Sequence, residues 1–66
     1  MNEKKCKAFW ADVRGSFGFT GKGTVGIMSA DHIAKQIGIS TTETEKWLRK
    51  CAEYGITERQ GGGWVI

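Results

Sequence analysis

The chain has 66 residues, of which 39% are hydrophobic, with three Trp and three Phe, and a formal net charge of +3. That suits one domain near the lower size limit for a fold held by its own core; its large aromatics argue against a disordered tail, and its length leaves little room for an enclosed catalytic cleft. No run approaches the roughly 20 apolar residues of a membrane helix, and no apolar stretch follows the basic N-terminus as in a signal peptide.

Residues 3–14 read as an amphipathic helix. Cys6, Phe9, Trp10, Val13 and then Phe17 recur at i, i+3, i+4, i+7 and i+11 and form one apolar stripe, with Lys4, Lys5, Lys7 and Arg14 off it. Gly15 is the expected stop. Residues 15–26 carry five glycines and read as a loop. Thr24–Met28 at its end could form a short strand. The loop is expected to be mobile and to order against a partner.

Ser29 is placed to cap a helix over Ala30–Ile37, with Asp31 in its first turn and Met28 and Ile33 as a hydrophobic staple. Gly38 suits a left-handed stop, with Ile39 covering the end. Ser40 then caps a second helix over residues 41–54, and Glu43 completes the capping-box spacing. Thr44, Leu48 and Cys51 give that helix an inner face; Trp47, Ala52 and Tyr54 flank it. Gly55 ends it. The last segment reads as a hairpin, with strand 56–60, a turn at Gly61-Gly62-Gly63 and a return at 64–66. No internal repeat, linker or second domain is visible. The lack of a linker-like tail favours a complete small protein over a piece cut from a longer one.

Helix, glycine turn, helix and hairpin, in the run from Ser29 through Gly55-Ile56 to Trp64, resemble the winged helix-turn-helix family. Ala30, Ile33, Ala34, Ile37, Gly38, Ile39, Leu48, Gly55 and Ile56 stand where that family places core and turn residues. The first helix and the possible strand at 24–28 fit its element order, so the resemblance covers nearly the whole chain. It implies an α+β fold of three helices and a C-terminal β-hairpin wing, binding double-stranded DNA with the helix at 41–54 in the major groove. Two features depart from the family: a long, glycine-rich loop, and Glu43 and Glu45 at the start of the recognition helix.

The face opposite Leu48 and Cys51 carries Thr42, Lys46, Arg49 and Lys50. Thr41 and Thr42 are candidates for base edges or a thymine methyl group. Lys46 and Arg49 suit guanine edges or phosphates, and Glu45 could accept from a cytosine amino group or face solvent. The resemblance puts Arg59 and Gln60 near the wing tip, against the minor groove or phosphates; the alternative is a plain solvated turn. Lys35 is a candidate backbone contact. Lys4, Lys5, Lys7 and Lys22 would add weak phosphate contacts or serve only solubility.

Charge placement pulls the other way. Residues 1–28 hold five cations against two acids, whereas residues 29–66, which contain the expected reading helix, hold five of each. Other chemistries have less support. Trp10, Trp47 and Trp64 could stack on single-stranded bases, but Trp10 and Trp64 fit the core. Ser16–Gly23 lacks the Gly and Ser or Thr positions of a phosphate-binding loop. Cys6, Cys51 and His32 lack metal-site spacing, and both thiols lie on apolar stripes. The sequence thus leads to a cytoplasmic, non-enzymatic DNA-binding protein, a small transcriptional regulator or a phage or plasmid protein. It would need no cofactor and no small-molecule substrate, and would use a dimer or repeated site for affinity. The rival is a protein-binding module or antirepressor that uses Trp47.

Overall fold

The computed structural model describes residues 1–19 and 21–66; position 20, inside the expected 15–26 loop, lies outside them. The fold is α+β, with three helices and a three-stranded antiparallel sheet. Helix α1 spans Glu3–Ser16, β1 Ile27–Met28, α2 Ala30–Ile37, α3 Thr41–Glu53, β2 Arg59–Gln60 and β3 Gly63–Val65.

Helix α1 starts where the Asn2 side chain accepts from the Lys5 N–H at 2.9 Å. Gly15 does not stop it. The helix runs on to Ser16, and the left-handed residue is Gly18, at φ 76°. The chain turns there because the Phe17 and Phe19 N–H groups both donate to the Arg14 carbonyl, which satisfies the open helix end. The expected stripe is half right: Cys6 and Val13 are fully buried, while Phe9, Trp10 and Phe17 are half-buried.

The α2–turn–α3 unit follows the sequence expectation closely. Ser29 accepts from the His32 N–H at 3.1 Å, and Gly38 is left-handed at φ 79°. The Gly38 and Ile39 N–H groups both donate to the Ala34 carbonyl, closing the end of α2. Ser40 accepts from the Glu43 N–H at 3.1 Å. Only this half of the capping box forms, because among the described residues the Glu43 carboxylate makes no hydrogen bond.

The three glycines at 61–63 are not one turn. Gln60 pairs with Gly63 and Arg59 with Trp64, so the loop is Gly61-Gly62 and Gly63 is the first residue of β3. Only Gly61 needs positive φ, at 58°. Gly63 is buried for another reason: a Cβ there would lie 2.7 Å from Ile27 Cγ2 and 3.1 Å from the Met28 carbonyl oxygen. That contact is where β1 lies alongside β3. Strand β3 is central, pairing Val65 with Ile27 and Trp64 with Met28 on its other side. The expected 24–28 strand shrinks to two residues. Its approach is tied instead by Val25 and Gly26 N–H groups donating to the Ile66 carbonyl.

One core joins these layers. Val13 of α1, Ala30 and Ile33 of α2, Leu48 of α3, and Trp64 and Ile66 at the sheet are buried together. Each fully buried aliphatic side chain contributes roughly 1.5–3 kcal/mol. Met28 and Ile37 pack on the edge of this cluster. Cys6 and Cys51 are both buried, and the Cys51 thiol donates to the Cys6 carbonyl at 3.5 Å. Burial, with Cys6 alongside, pushes the Cys51 thiol up to about 12, so it stays protonated at neutral pH.

Candidate nucleic-acid interface

Helix α3 divides cleanly into two faces. Thr44, Leu48 and Cys51 are buried, and the Thr44 hydroxyl donates back to the Ser40 carbonyl at 2.9 Å. Thr42, Glu43, Lys46, Arg49 and Glu53 are exposed on the other side. The core therefore fixes the roll of α3 and leaves a polar face of mixed sign outward.

Most of the cations on this side of the molecule are held by carboxylates one turn away. Arg49 lies 3.7 Å from Glu45, Lys50 3.5 Å from Glu53, and Lys35 3.3 Å from Asp31. Among the described residues, Lys46 is the cation of α3 without such a partner. These pairs are open to solvent on at least one side and worth little to stability, about 0–1 kcal/mol each. They do lower the positive potential that a phosphate would meet.

The Thr41 hydroxyl already has an acceptor partner within the chain. Thr41 is half-buried, and its hydroxyl donates to Asp31 at 3.2 Å. Lys35, Asp31 and Thr41 thus form a clasp between α2 and the start of α3. Hydrogen bonding and charge from Lys35, with help from Thr41, hold the Asp31 carboxyl below its usual range. Lys50 is also less available than the helical wheel implies. It is half-buried and reaches toward the end of α3, with its ammonium 5.6 Å from the Tyr54 ring. The expected surface therefore narrows to Thr42, Lys46 and Arg49, with half-buried Glu45 beside Arg49.

Arg59 and Gln60 are exposed on β2 and bonded within their own hairpin. The Arg59 guanidinium lies 5.4 Å over the Trp64 ring, and Gln60 donates to Glu58 at 2.7 Å. Trp64 itself is 4% exposed. It is a core residue, as its position in the return strand implied. Lys4, Lys5 and Lys22 are exposed, and Lys7 pairs with Glu3 at 3.1 Å.

Arg14 is the residue the sequence reading placed wrongly. It lies off the apolar stripe, yet it is 6% exposed. Its guanidinium sits 4.5 Å from the Trp10 ring and 4.4 Å from the Phe19 ring, and it donates to the Gly21 carbonyl at 2.8 Å. An arginine buried with no carboxylate partner among the described residues is tolerable here because two aromatic faces and a carbonyl replace water. The signal was present: Trp10 and Arg14 are four residues apart on one helix, the spacing at which side chains meet. The glycine-rich loop is anchored to the fold at Gly21 by Arg14, and at Val25 and Gly26 by Ile66.

No protein-family model, curated protein or solved structure matches the chain. Among the described residues, no helix is long and apolar enough to cross a membrane.

Proposed function

We propose that the chain is a winged helix-turn-helix protein that binds double-stranded DNA, with α3 as the recognition helix and the β2–β3 hairpin as the wing. The observation that carries this reading is the order and packing of its elements. A capped helix, a left-handed glycine and a second capped helix are followed by a hairpin whose return strand also pairs with β1. The outward face of α3 is free of core duties, as a groove-reading helix requires. In this reading Thr42, Lys46 and Arg49 enter the major groove, while Arg59 and Gln60 approach the backbone from the wing. Lys35 adds a phosphate contact at the cost of its bond to Asp31.

Leashed cations make the binding weak and moderately salt-dependent. Four phosphate contacts, from Lys35, Lys46, Arg49 and Arg59, give a log–log salt slope of about −3 to −4. Fluorescence anisotropy with a mixed-sequence duplex at low salt tests this. Binding is expected to fall roughly 60- to 250-fold between about 50 and 200 mM salt, and to be lost in Lys46→Ala/Arg49→Ala. An absence of binding by the native chain at low salt would remove the DNA reading.

The same neutralised charge favours a second reading, in which the domain grips another protein. Trp47 is half-buried and stacks on Phe9, with ring centroids 5.1 Å apart and planes 8° from parallel. An accessible aromatic pair of this kind is what protein interfaces use as an anchor. Binding centred there would show little loss across the same salt range.

A further inference from the structure

Lys5, Ala8, Phe9 and Asp12 stand at i, i+3, i+4 and i+7 and so share one face of α1, beside the buried stripe of Cys6 and Val13. Ile37 and Ile39 at the end of α2, and Trp47 of α3, continue this face. Together the seven residues line an open groove of about 440 Å³. Ile39 is 39% exposed, and the Phe9–Trp47 stack gives the groove a rigid aromatic floor. Lys5 and Asp12 are both exposed at its two ends. Among the described residues neither makes an ion pair, although four other pairs on this chain close across one helical turn.

The order of these four residues is self-complementary. When two copies of α1 run antiparallel about a twofold axis between positions 8 and 9, Lys5 of each copy faces Asp12 of the other. In the same register, Ala8 of each faces Phe9 of the other, so a small side chain leaves room for a ring. The helical rise puts the Lys5 and Asp12 levels about 10 Å apart along the axis, so both pairs close at once. A parallel arrangement would set Lys5 against Lys5 and Asp12 against Asp12. A slip of one turn would oppose a charge to the apolar strip. Charge and size thus select a single register.

We propose that this face is an isologous homodimer interface, in which α1 packs antiparallel on α1 of a second copy through Phe9, Ala8, Ile39 and Trp47, with Lys5 and Asp12 pairing across the axis. Seven lining residues are well short of the roughly 20–30 per side of a standard interface. A face of this size belongs with weak, transient interfaces. Its face is separate from Thr42, Lys46 and Arg49, so the inference does not rest on the DNA reading.

Analytical ultracentrifugation of the whole chain without DNA, at low salt and up to about 1 mM, tests it. The native chain is expected to dimerise. Lys5→Glu and Asp12→Lys lie on exposed positions, and each turns two attractive pairs into repulsive ones. Each alone should weaken the dimer roughly tenfold. An equimolar mixture of the two variants restores attraction at both pairs and should recover the native association, as should Lys5→Glu/Asp12→Lys in one chain. A native chain that stays monomeric, single variants that associate as the native chain does, or a mixture that fails to recover would each overturn the proposal. None of these outcomes depends on whether the protein binds DNA.

Discussion

The segment from Ser29 to Gly55 and the segment from Gly15 to Met28 both turn at glycines, but their turns are held in different ways. In the first, closure is local. Ser29 holds His32, Ser40 holds Glu43, and Gly38 lets the chain return to Ala34. In the second, the turn at Gly18 also closes locally, on Arg14 and Gly15, but much of the rest is held from far along the chain. Gln36 donates to the Ser16 carbonyl at 2.7 Å, Ile66 bonds to Val25 and Gly26, and Gly63 leaves the space that Ile27 fills. A turn closed by its own neighbours survives changes elsewhere. A loop closed by a distant strand depends on that strand being in register.

The sharpest way to break this contrast is inside the glycine triplet. Gly63→Ala places a methyl group 2.7 Å from Ile27 Cγ2 and 3.1 Å from a backbone oxygen. It should cost about 1–3 kcal/mol, and lower the melting temperature by roughly 5–20 °C in a domain of this size. Gly61→Ala carries a strain of about 1–2 kcal/mol, since its φ is 58°. Gly62→Ala meets nothing within 4 Å and has no positive φ, so it should be neutral or slightly stabilising. Thermal unfolding of the three variants would rank them. Equal costs would mean that the β1–β3 pairing is looser than the geometry indicates.

A second experiment tests whether Arg14 organises the loop or only fills space. Arg14→Lys keeps the charge but loses the flat guanidinium that lies against both Trp10 and Phe19. It should cost roughly 1–2 kcal/mol in urea unfolding. Amide exchange at Val25 and Gly26, whose N–H groups donate to Ile66, should speed up, while exchange in α3 keeps pace with global stability. Uniform acceleration over the whole chain would assign Arg14 to the core at large.

The same contrast explains what could be read from the chain. The caps at Ser29 and Ser40, the stop at Gly38 and the inner face of Thr44, Leu48 and Cys51 were all legible, because each follows from residues three or four apart. The role of Gly63 was not, because it depends on what β1 brings to that point. The Trp10–Arg14 spacing signalled one side of the Arg14 pocket but not the closure of Phe19 and Gly21 on it, and Gly15 itself gave no sign that α1 would run on to Ser16 and turn at Gly18. At the candidate site, helical spacing identified Thr42, Lys46 and Arg49. It missed that Thr41 is occupied by Asp31 and that Lys50 is drawn to Glu53, because a helical wheel assigns direction without partners.

Glu45 offers the smallest effect and the most discriminating one for the proposed interface. It is half-buried and lies 3.7 Å from Arg49. As a leash, it lowers the charge Arg49 can offer to phosphate. As a reader, it would accept a hydrogen bond from a cytosine amino group. The two roles predict opposite signs for Glu45→Gln. Releasing a leash should tighten DNA binding about two- to fivefold at low salt on any duplex, since an exposed pair is worth about 0.2–1 kcal/mol. Added salt would erase the gain, because it screens the same charges. Removing a reader would weaken binding only where a cytosine occupies the facing position, and salt would not erase that loss. Duplex sets differing in cytosine placement, titrated at two salt concentrations, separate the cases. We expect the uniform gain, because Asp31 on α2 and Glu53 on α3 each pair with a cation one turn away in the same way.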